Sequence, residues 1–198
     1  QNQLSHIYDR LTDIARHDAR TGKVALLGVR GAGKSTVGRL LAKQTKVQFV
    51  ELDSEIERRA DLTLSEIFAW HGESYYRRLE RDCLMSVLNT NRRTVIATGG
   101  GIVNDSDTFR LLTQNTCSVW LSATAETHWS RVLDQGDHRP MRDHPHAMRE
   151  LKSLLVEREP LYRQADVCIT TDQLTPHQVA LKIVDNLGLA DDSSGFER

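Results

Sequence analysis

The sequence lacks the features of a membrane protein and of a general nucleic-acid-binding surface. No apolar run approaches about 18 residues, so no segment is predicted to span a bilayer. The 26 basic and 27 acidic residues leave a net charge of −1, which argues against non-specific nucleic-acid binding by this segment. No signal peptide is recognisable at the start of the chain, which begins at Gln1. A membrane partner is therefore not expected.

The chain is also poor in cysteine. Its cysteines, Cys83, Cys117 and Cys168, are odd in number and far apart, and two of them lie in the apolar runs CSVWL and DVCIT. This pattern predicts inert core thiols and no disulfide framework, so we expect a cytoplasmic protein. The 198 residues suit one domain, and a hydrophobic content of 39% can fill its core.

Five short apolar runs alternate with helical patterns along the chain. Strands are predicted at residues 24–29, 49–52, 94–99, 117–121 and 166–170. Helices are predicted at residues 34–45, 53–60, 63–70, 73–90, 104–114, 124–134, 147–158 and 175–188. This alternation predicts an α/β fold with a parallel sheet covered by helices on both faces.

The main domain is predicted at residues 21–190. Three segments, two outside this range and one within it, have a different sequence pattern. Residues 1–20 carry apolar side chains spaced 3, 4 and 3 apart, an a/d seam over two heptads. Two interpretations stay open: a helix packed on its own domain, or a linker helix from an upstream domain. Residues 134–146 have the polar composition of a loop that could act as a lid. Residues 191–198 are predicted to be a disordered tail.

A phosphate-binding loop follows the first predicted strand. Residues 28–35 read GVRGAGKS and match G-x-x-x-x-G-K-[ST] between a strand and a helix. Glycines let backbone N–H groups turn towards phosphate oxygens, and the helix N-terminus adds positive potential. Lys34 is expected to reach the terminal phosphates, and the Ser35 hydroxyl to ligate Mg²⁺. The predicted nucleotide contacts in the loop are Gly28, Gly31, Ala32, Gly33, Lys34, Ser35 and Thr36.

A second group of candidates follows the next strands. Asp53 begins a helix after the second strand, where an N-cap role is the alternative. Gly99, Gly100 and Gly101 follow the third strand, which suggests that a ligand approaches the backbone at the carboxyl edge of the sheet. Arg77 stands three residues before Glu80 on a helix, where a surface ion pair is the alternative interpretation.

These motifs resemble those of the shikimate kinase family. The loop, DSEIE, GESYYRRLE, GGG, RPM and PLYR occur in order and cover residues 22–188. The resemblance implies a P-loop NTPase fold with a five-stranded parallel sheet in the order 2-3-1-4-5 and a lid. It also implies ATP or ADP and Mg²⁺ as ligands, and transfer of the ATP γ-phosphate to shikimate.

The resemblance assigns roles to individual residues. It implies that Asp53 activates the hydroxyl of shikimate and that Arg77 and Arg163 hold its carboxylate. The triple glycine would line the pocket, and the lid residue Arg139 would span phosphate and substrate.

Two further parts of the site follow from the same resemblance. Arg131 and Pro176 fall near the family's adenine-binding positions, although QLTP lacks the arginine usual before that proline. The family's second strand typically ends D-x-D, with the first aspartate assisting the Mg²⁺ shell. Glu51 stands there in this chain, so Ser35 and Glu51 are the predicted metal residues. An added methylene can displace a water-bridged ligand, which leaves retention of the chemistry open.

Other details resemble a narrower group, the transcriptional regulators of bacterial benzoate degradation. The segments are GVRGAGKST, ATGGGIV and QGDHRPM, together with the run entering the domain. This resemblance implies an upstream helix-turn-helix domain of the XRE class that binds DNA, a homodimer, and benzoyl-CoA as the effector of this domain. We therefore expect an effector-sensing regulator domain as the main hypothesis, with an active shikimate kinase as the alternative.

Overall fold

The computed structural model describes Arg20, residues 22–134 and residues 146–189. The predicted linker helix, apart from Arg20, lies outside the described residues. The same holds for most of the predicted lid, including Arg139, and for the predicted tail.

A five-stranded parallel sheet forms the centre of the molecule. Its strand order is β2-β3-β1-β4-β5, and every neighbouring pair runs parallel, which confirms the predicted fold. The strands are β1 Lys23–Leu27, β2 Gln48–Glu51, β3 Thr94–Ala97, β4 Cys117–Ser122 and β5 Val167–Thr170. In register, Val24 of the central strand pairs with Val95 on one side and Cys117 on the other.

Helices connect the strands. They are α1 Lys34–Thr45, α2 Leu52–Ala60, α3 Leu64–Leu88, α4 Ser106–Asn115, α5 Ala125–Asp134, α6 Ala147–Tyr162 and α7 Pro176–Leu187. A short 3₁₀ helix spans Ile102–Asn104. Among the helices in the described ranges, none has the length and apolar character that a membrane crossing needs.

Alternate residues of the sheet face two separate hydrophobic cores. On β1, Val24 and Leu26 pack in one core, whereas Ala25 and Leu27 pack in the other. Side chains point to opposite faces at every second residue of a strand, and both faces here are covered by helices. For this reason β1 is apolar throughout after Lys23.

Two helix boundaries differ from the sequence prediction. The predicted helices 63–70 and 73–90 are joined in α3, with a kink at Gly72, where φ is 76° and ψ is 177°. Helix α6 continues past the predicted end at residue 158 and through Pro160. Its last turn is held by Tyr162, which is buried and donates a hydrogen bond to the Gly100 carbonyl at 2.5 Å.

The cysteine prediction is correct for one residue and wrong for another. All three thiols are free, and Cys83 is buried in the core. Cys168 is exposed on β5, a strand at the edge of the sheet.

Asp166 ties the start of β5 to β4. Its carboxylate accepts hydrogen bonds from the Ser118 amide at 2.8 Å and hydroxyl at 2.7 Å, and from Arg20 Nη2 at 2.6 Å. Partial burial opposes ionisation, but the hydrogen bonds from Ser118 and Arg20 outweigh it and hold the pKa of Asp166 below its usual value. The ionised carboxylate therefore stabilises the fold.

We predict that Asp166→Asn lowers the free energy of unfolding by about 1 kcal/mol at pH 7, a value discounted for partial exposure. The folded-state pKa is lower than the unfolded one, so this contribution is present above about pH 4 and disappears as the pH falls through the folded pKa. Urea denaturation from pH 7 to pH 3 measures it. Asp107→Asn, in an exposed ion pair with Arg110, is the control and should change little. Equal losses for both variants at pH 7 would contradict the prediction.

Candidate active site

A cavity of about 1020 Å³ opens at the carboxyl edge of the sheet. It lies between the loop after β1, the ends of β2 and β3, and helices α3 and α6. The predicted site residues that line it are Gly31, Gly33, Lys34, Ser35, Thr36, Glu51, Asp53, Arg77, Gly100 and Gly101. The sequence therefore brings the phosphate loop and most of the predicted substrate residues to one cavity.

The loop after β1 has the backbone shape that a phosphate cradle needs. Gly31 and Gly33 have φ values of 77° and 89°, in the left-handed region that favours glycine. A Cβ atom on Gly31 would also lie 2.8 Å from the carbonyl oxygen of His128 in α5. Helix α1 begins at Lys34, directly after this turn, so its N-terminus faces the cavity.

Lys34 is held inside this loop. Its Nζ atom donates hydrogen bonds to the carbonyl oxygens of Gly28 at 2.7 Å and Val29 at 3.1 Å. Burial lowers the pKa of Lys34 to about 8, although the nearby charges of Asp53 and Glu51 favour its ammonium form. The ammonium is thus placed to meet a phosphate at neutral pH.

Glu51 contacts α1, the helix that follows the phosphate loop. Its Oε1 accepts a short hydrogen bond from the Ser35 hydroxyl, and its Oε2 accepts one from Arg39 Nη2 at 2.7 Å. The extra methylene, compared with aspartate, therefore still allows the carboxylate to reach Ser35. A hydroxyl and a carboxylate beside a phosphate loop are oxygen donors of the kind Mg²⁺ prefers, so these residues fit the ion. Within the described residues, no cluster of three or more His, Cys, Asp or Glu side chains forms a separate metal site.

The Asp53 side chain on α2 contacts a buried polar cluster formed by residues of α3. It lies in the first turn of α2, whose N-cap is Glu51, so the N-cap interpretation of Asp53 is wrong. Its Oδ1 accepts a hydrogen bond from the Tyr76 hydroxyl at 3.0 Å. The same hydroxyl lies 3.2 Å from Oε1 of Glu80, and Arg77 Nη1 donates to Glu80 Oε2 at 2.7 Å.

Burial sets the protonation of this cluster. It raises the pKa of Asp53 and that of Glu80, because an ionised carboxylate loses water contacts there. The Tyr76 hydrogen bond to Asp53 and the Arg77 hydrogen bond to Glu80 act in the opposite direction. Since Glu80 is fully buried, the interpretation of Arg77–Glu80 as a surface ion pair is wrong.

At Gly99, Gly100 and Gly101, the lack of a side chain leaves room mainly for other atoms of the protein. A Cβ atom on Gly99 would lie 2.7 Å from the Tyr76 hydroxyl, and one on Gly101 would lie 2.7 Å from Arg77 Nη2. Gly100 and Gly101 line the cavity, as predicted, whereas Gly99 does not. Gly99 and Gly101 therefore permit the close approach of the site's own side chains, whereas Gly100 lies against the backbone of residues 28–30.

The prediction that Arg163 lies in the substrate site is wrong. Its side chain is 68% exposed, pairs with Glu159 at 2.5 Å and does not line the cavity. Arg158 lies there instead and donates from Nη1 to the Gly100 carbonyl at 3.0 Å. Its Nε is buried without a hydrogen-bond partner among the described residues, so the guanidinium retains unused donors.

A smaller cavity of about 300 Å³ adjoins the phosphate loop. Arg131 and Pro176, the predicted adenine-site residues, both line it, together with Ala32, Gly33 and Thr36 of the loop and its first helical turn. Arg131 is fixed by hydrogen bonds to Oγ1 and the carbonyl oxygen of Thr171, at 2.9 and 2.8 Å. This arrangement offers a nucleotide base a place next to its phosphates.

Two further residues, at or beside the site, make contacts that the sequence did not predict. Tyr76 donates to Asp53, and His128 lies buried beneath the phosphate loop, where burial lowers its pKa to about 4. Their positions depend on packing between α2, α3, α5 and the loop, so no local sequence signal identified them.

The fold and site define a P-loop kinase, a class that transfers phosphoryl groups from nucleotides. A family model described as shikimate kinase matches residues 30–188. The shikimate kinase of Thermodesulfovibrio yellowstonii is 37% identical over 161 residues, which cover 81% of this chain and 92% of that protein. That of Francisella philomiragia is 39% identical, over 83% of this chain and 93% of that protein. The chain therefore belongs to the shikimate kinase family.

A solved structure gives the same result. The shikimate kinase from Acinetobacter baumannii in complex with shikimate aligns with a TM-score of 0.76 at 33% identity. The alignment covers 83% of this chain and 92% of that one.

These comparisons contradict the regulator hypothesis. The curated relatives are shikimate kinases, and they match over most of their own length. Of the segments quoted for the regulators, GVRGAGKST and ATGGGIV contribute residues to the cavity described above, so these two fit a kinase site equally well. The predictions of benzoyl-CoA, of DNA binding through an upstream domain and of a homodimer depended on that hypothesis, and the comparisons give them no support.

We predict that ADP affinity falls by roughly tenfold between pH 7.5 and pH 9.5, because the Lys34 ammonium loses its proton as the pH rises through about 8. Isothermal titration calorimetry measures the dissociation constant at each pH. Lys34→Met should bind weakly with a flat profile, whereas Lys43→Met, at an exposed position of α1, should keep the pH dependence. A flat profile in the unmodified protein would contradict this role for Lys34.

Proposed function

We propose that the protein transfers the γ-phosphate of ATP to a hydroxyl group of shikimate. The observation that carries this proposal is the single cavity in which the Lys34 ammonium, the Asp53 carboxylate and the Arg158 guanidinium meet. These groups suit the phosphate, hydroxyl and carboxylate of the two substrates. Membership of the shikimate kinase family supports the same assignment.

The nucleotide would occupy the phosphate loop and the smaller cavity beside it. Backbone N–H groups of the loop and the N-terminus of α1 would hold the β- and γ-phosphates. Lys34 would leave its hydrogen bonds to Gly28 and Val29 in part to contact the terminal phosphate. Arg131 and Pro176 border the cavity proposed for adenine.

Ser35 and Glu51 would hold Mg²⁺. When bound, the ion would neutralise the negative charge of the β- and γ-phosphates during transfer. Arg39 would keep the Glu51 carboxylate turned towards Ser35 through its 2.7 Å hydrogen bond.

Shikimate would bind at the other end of the cavity. Arg158 has unused donors there and would hold the substrate carboxylate, with Arg77 beside it. Arg77 is already paired with Glu80 and Glu73, so Arg158 is the freer of the two guanidinium groups. Arg139, outside the described residues, remains a prediction from the family resemblance.

Asp53 would orient the reacting hydroxyl and accept its proton. As the hydroxyl oxygen bonds to the γ-phosphorus, the bond to the bridging oxygen of ADP breaks, and the proton passes to Asp53. Burial raises the pKa of Asp53, which improves a carboxylate as a proton acceptor.

We predict shikimate-dependent release of ADP from MgATP at about 1 to 10³ per second. A coupled spectrophotometric assay measures this rate with and without shikimate. Asp53→Asn should retain ADP binding but lose roughly a hundredfold or more in kcat, because it cannot accept the proton. An ADP release rate that shikimate does not change would overturn the proposed function.

We predict that Arg158→Ala raises the KM for shikimate by roughly tenfold or more, because a charge-assisted contact to the substrate carboxylate is lost. Its effect on the KM for ATP should be small. Arg163→Ala is the matched control: it removes an arginine from the same helix end, but one that is exposed and outside the cavity. Steady-state kinetics of both variants measure the difference.

Equal effects of the two substitutions would show that the carboxylate is held elsewhere. A larger effect of Arg163→Ala would restore the assignment made from the sequence and reject Arg158.

A further inference from the structure

The Tyr76 hydroxyl lies between two carboxylates. It is 3.0 Å from Oδ1 of Asp53 and 3.2 Å from Oε1 of Glu80. A phenol carries one proton, so it can make one strong donated hydrogen bond when both carboxylates are ionised. Glu80 already accepts a hydrogen bond from Arg77 at 2.7 Å, whereas Asp53 has no other donor among its side-chain contacts in the described residues. The geometry therefore favours donation to Asp53.

The surrounding structure fixes the position of this hydroxyl. Tyr76 is only 5% exposed, and its ring lies 4.7 Å from that of Phe68, centre to centre. The Arg77 guanidinium lies 5.1 Å from the centre of the Tyr76 ring. On the side of β3, a Cβ atom at Gly99 would come within 2.7 Å of the hydroxyl oxygen. Because Gly99 has no side chain, the Tyr76 hydroxyl can occupy this space. This contact explains a glycine at position 99, which does not line the cavity.

We infer that Tyr76 is a positioning residue of the active site, whose hydroxyl holds the Asp53 carboxylate in one orientation. This inference rests on the proposed function, in which Asp53 accepts the proton of the substrate hydroxyl. Tyr76 acts through Asp53: its hydroxyl donates a hydrogen bond to one carboxylate oxygen, and the other oxygen remains available to the substrate.

Several charged groups surround Asp53. Lys34 of the loop favours the ionised carboxylate, while Glu51 at the end of β2 and Glu57 of α2 oppose it. On α3, Glu80 is an acidic neighbour paired with the basic Arg77. Tyr76→Phe removes a donor to Asp53 and leaves all of these charges in place, so the variant isolates the effect of this one hydrogen bond on the carboxylate.

The first test measures Asp53 directly. We expect the Asp53 carboxylate to keep one orientation in the unmodified protein and to adopt more than one in Tyr76→Phe, because the donor to Oδ1 is lost. Crystal structures of the unmodified protein and of Tyr76→Phe show these orientations, with Tyr75→Phe as the control that should keep the first. Because it needs no turnover, this measurement tests the inference even where the proposed function fails.

The second test uses kinetics. We expect Tyr76→Phe to lower kcat roughly tenfold, with the KM for shikimate nearly unchanged, because a carboxylate without a fixed orientation aligns the hydroxyl less often. Tyr75→Phe is the matched control, since Tyr75 does not line the cavity and its ring contacts with His71 and Arg78 do not need a hydroxyl. An Asp53 carboxylate that keeps its orientation in Tyr76→Phe, together with an unchanged kcat, would overturn the inference.

A third test separates position from general packing. Gly99→Ala should lower the melting temperature, and it should lower it less in the Tyr76→Phe background, where the atom 2.7 Å away is absent. Strictly additive effects would show that the hydroxyl does not occupy this space and would count against its role. Since Gly99→Ala keeps Tyr76, it also tests the contact in case Tyr76→Phe folds poorly.

Discussion

The burial of the Lys34 ammonium inside the phosphate loop is the interaction on which the rest of the site depends. Loop carbonyls accept its hydrogen bonds, yet loss of water still lowers its pKa to about 8. Asp53 and Glu51 supply the negative charge that favours the ammonium. A terminal phosphate carries the same sign of charge and would add to this effect. The site is thus electrostatically arranged for an anion before one binds.

The strand order places the glycine segment after β3 close to the loop that holds the Lys34 ammonium. Because β1 lies between β3 and β4, the loop after β1 and the glycine segment after β3 meet at one edge. Tyr162 and Arg158 of α6 both donate to the Gly100 carbonyl, so this helix is tied to the same segment. Glu51 fits the arrangement because its longer side chain reaches Ser35 and Arg39 together. The replacement of an aspartate there does not dismantle the site.

Much of this could be predicted from the sequence, because the informative patterns are local. Apolar runs indicated five strands, and G-x-x-x-x-G-K-S fixed the phosphate loop. The choice between Arg158 and Arg163 was not local: residues five apart point roughly 140° away from each other around a helix, and the pattern does not say which one faces inward. The contact between Tyr76 and Asp53 joins two helices, so a local sequence pattern could not predict it either. The regulator hypothesis depended on short segments, and it is contradicted by the matches to shikimate kinases over most of the chain.

The most direct test of the account is phosphorus NMR of the protein with MgATP and shikimate. The account predicts that the γ-phosphate signal of ATP is replaced by a phosphomonoester signal, split by one proton of the ring carbon that bears the new phosphate. The signals of ADP should rise in equal amount. Inorganic phosphate as the only new product, or an unchanged ATP spectrum, would contradict the claim that this cavity transfers phosphate to shikimate.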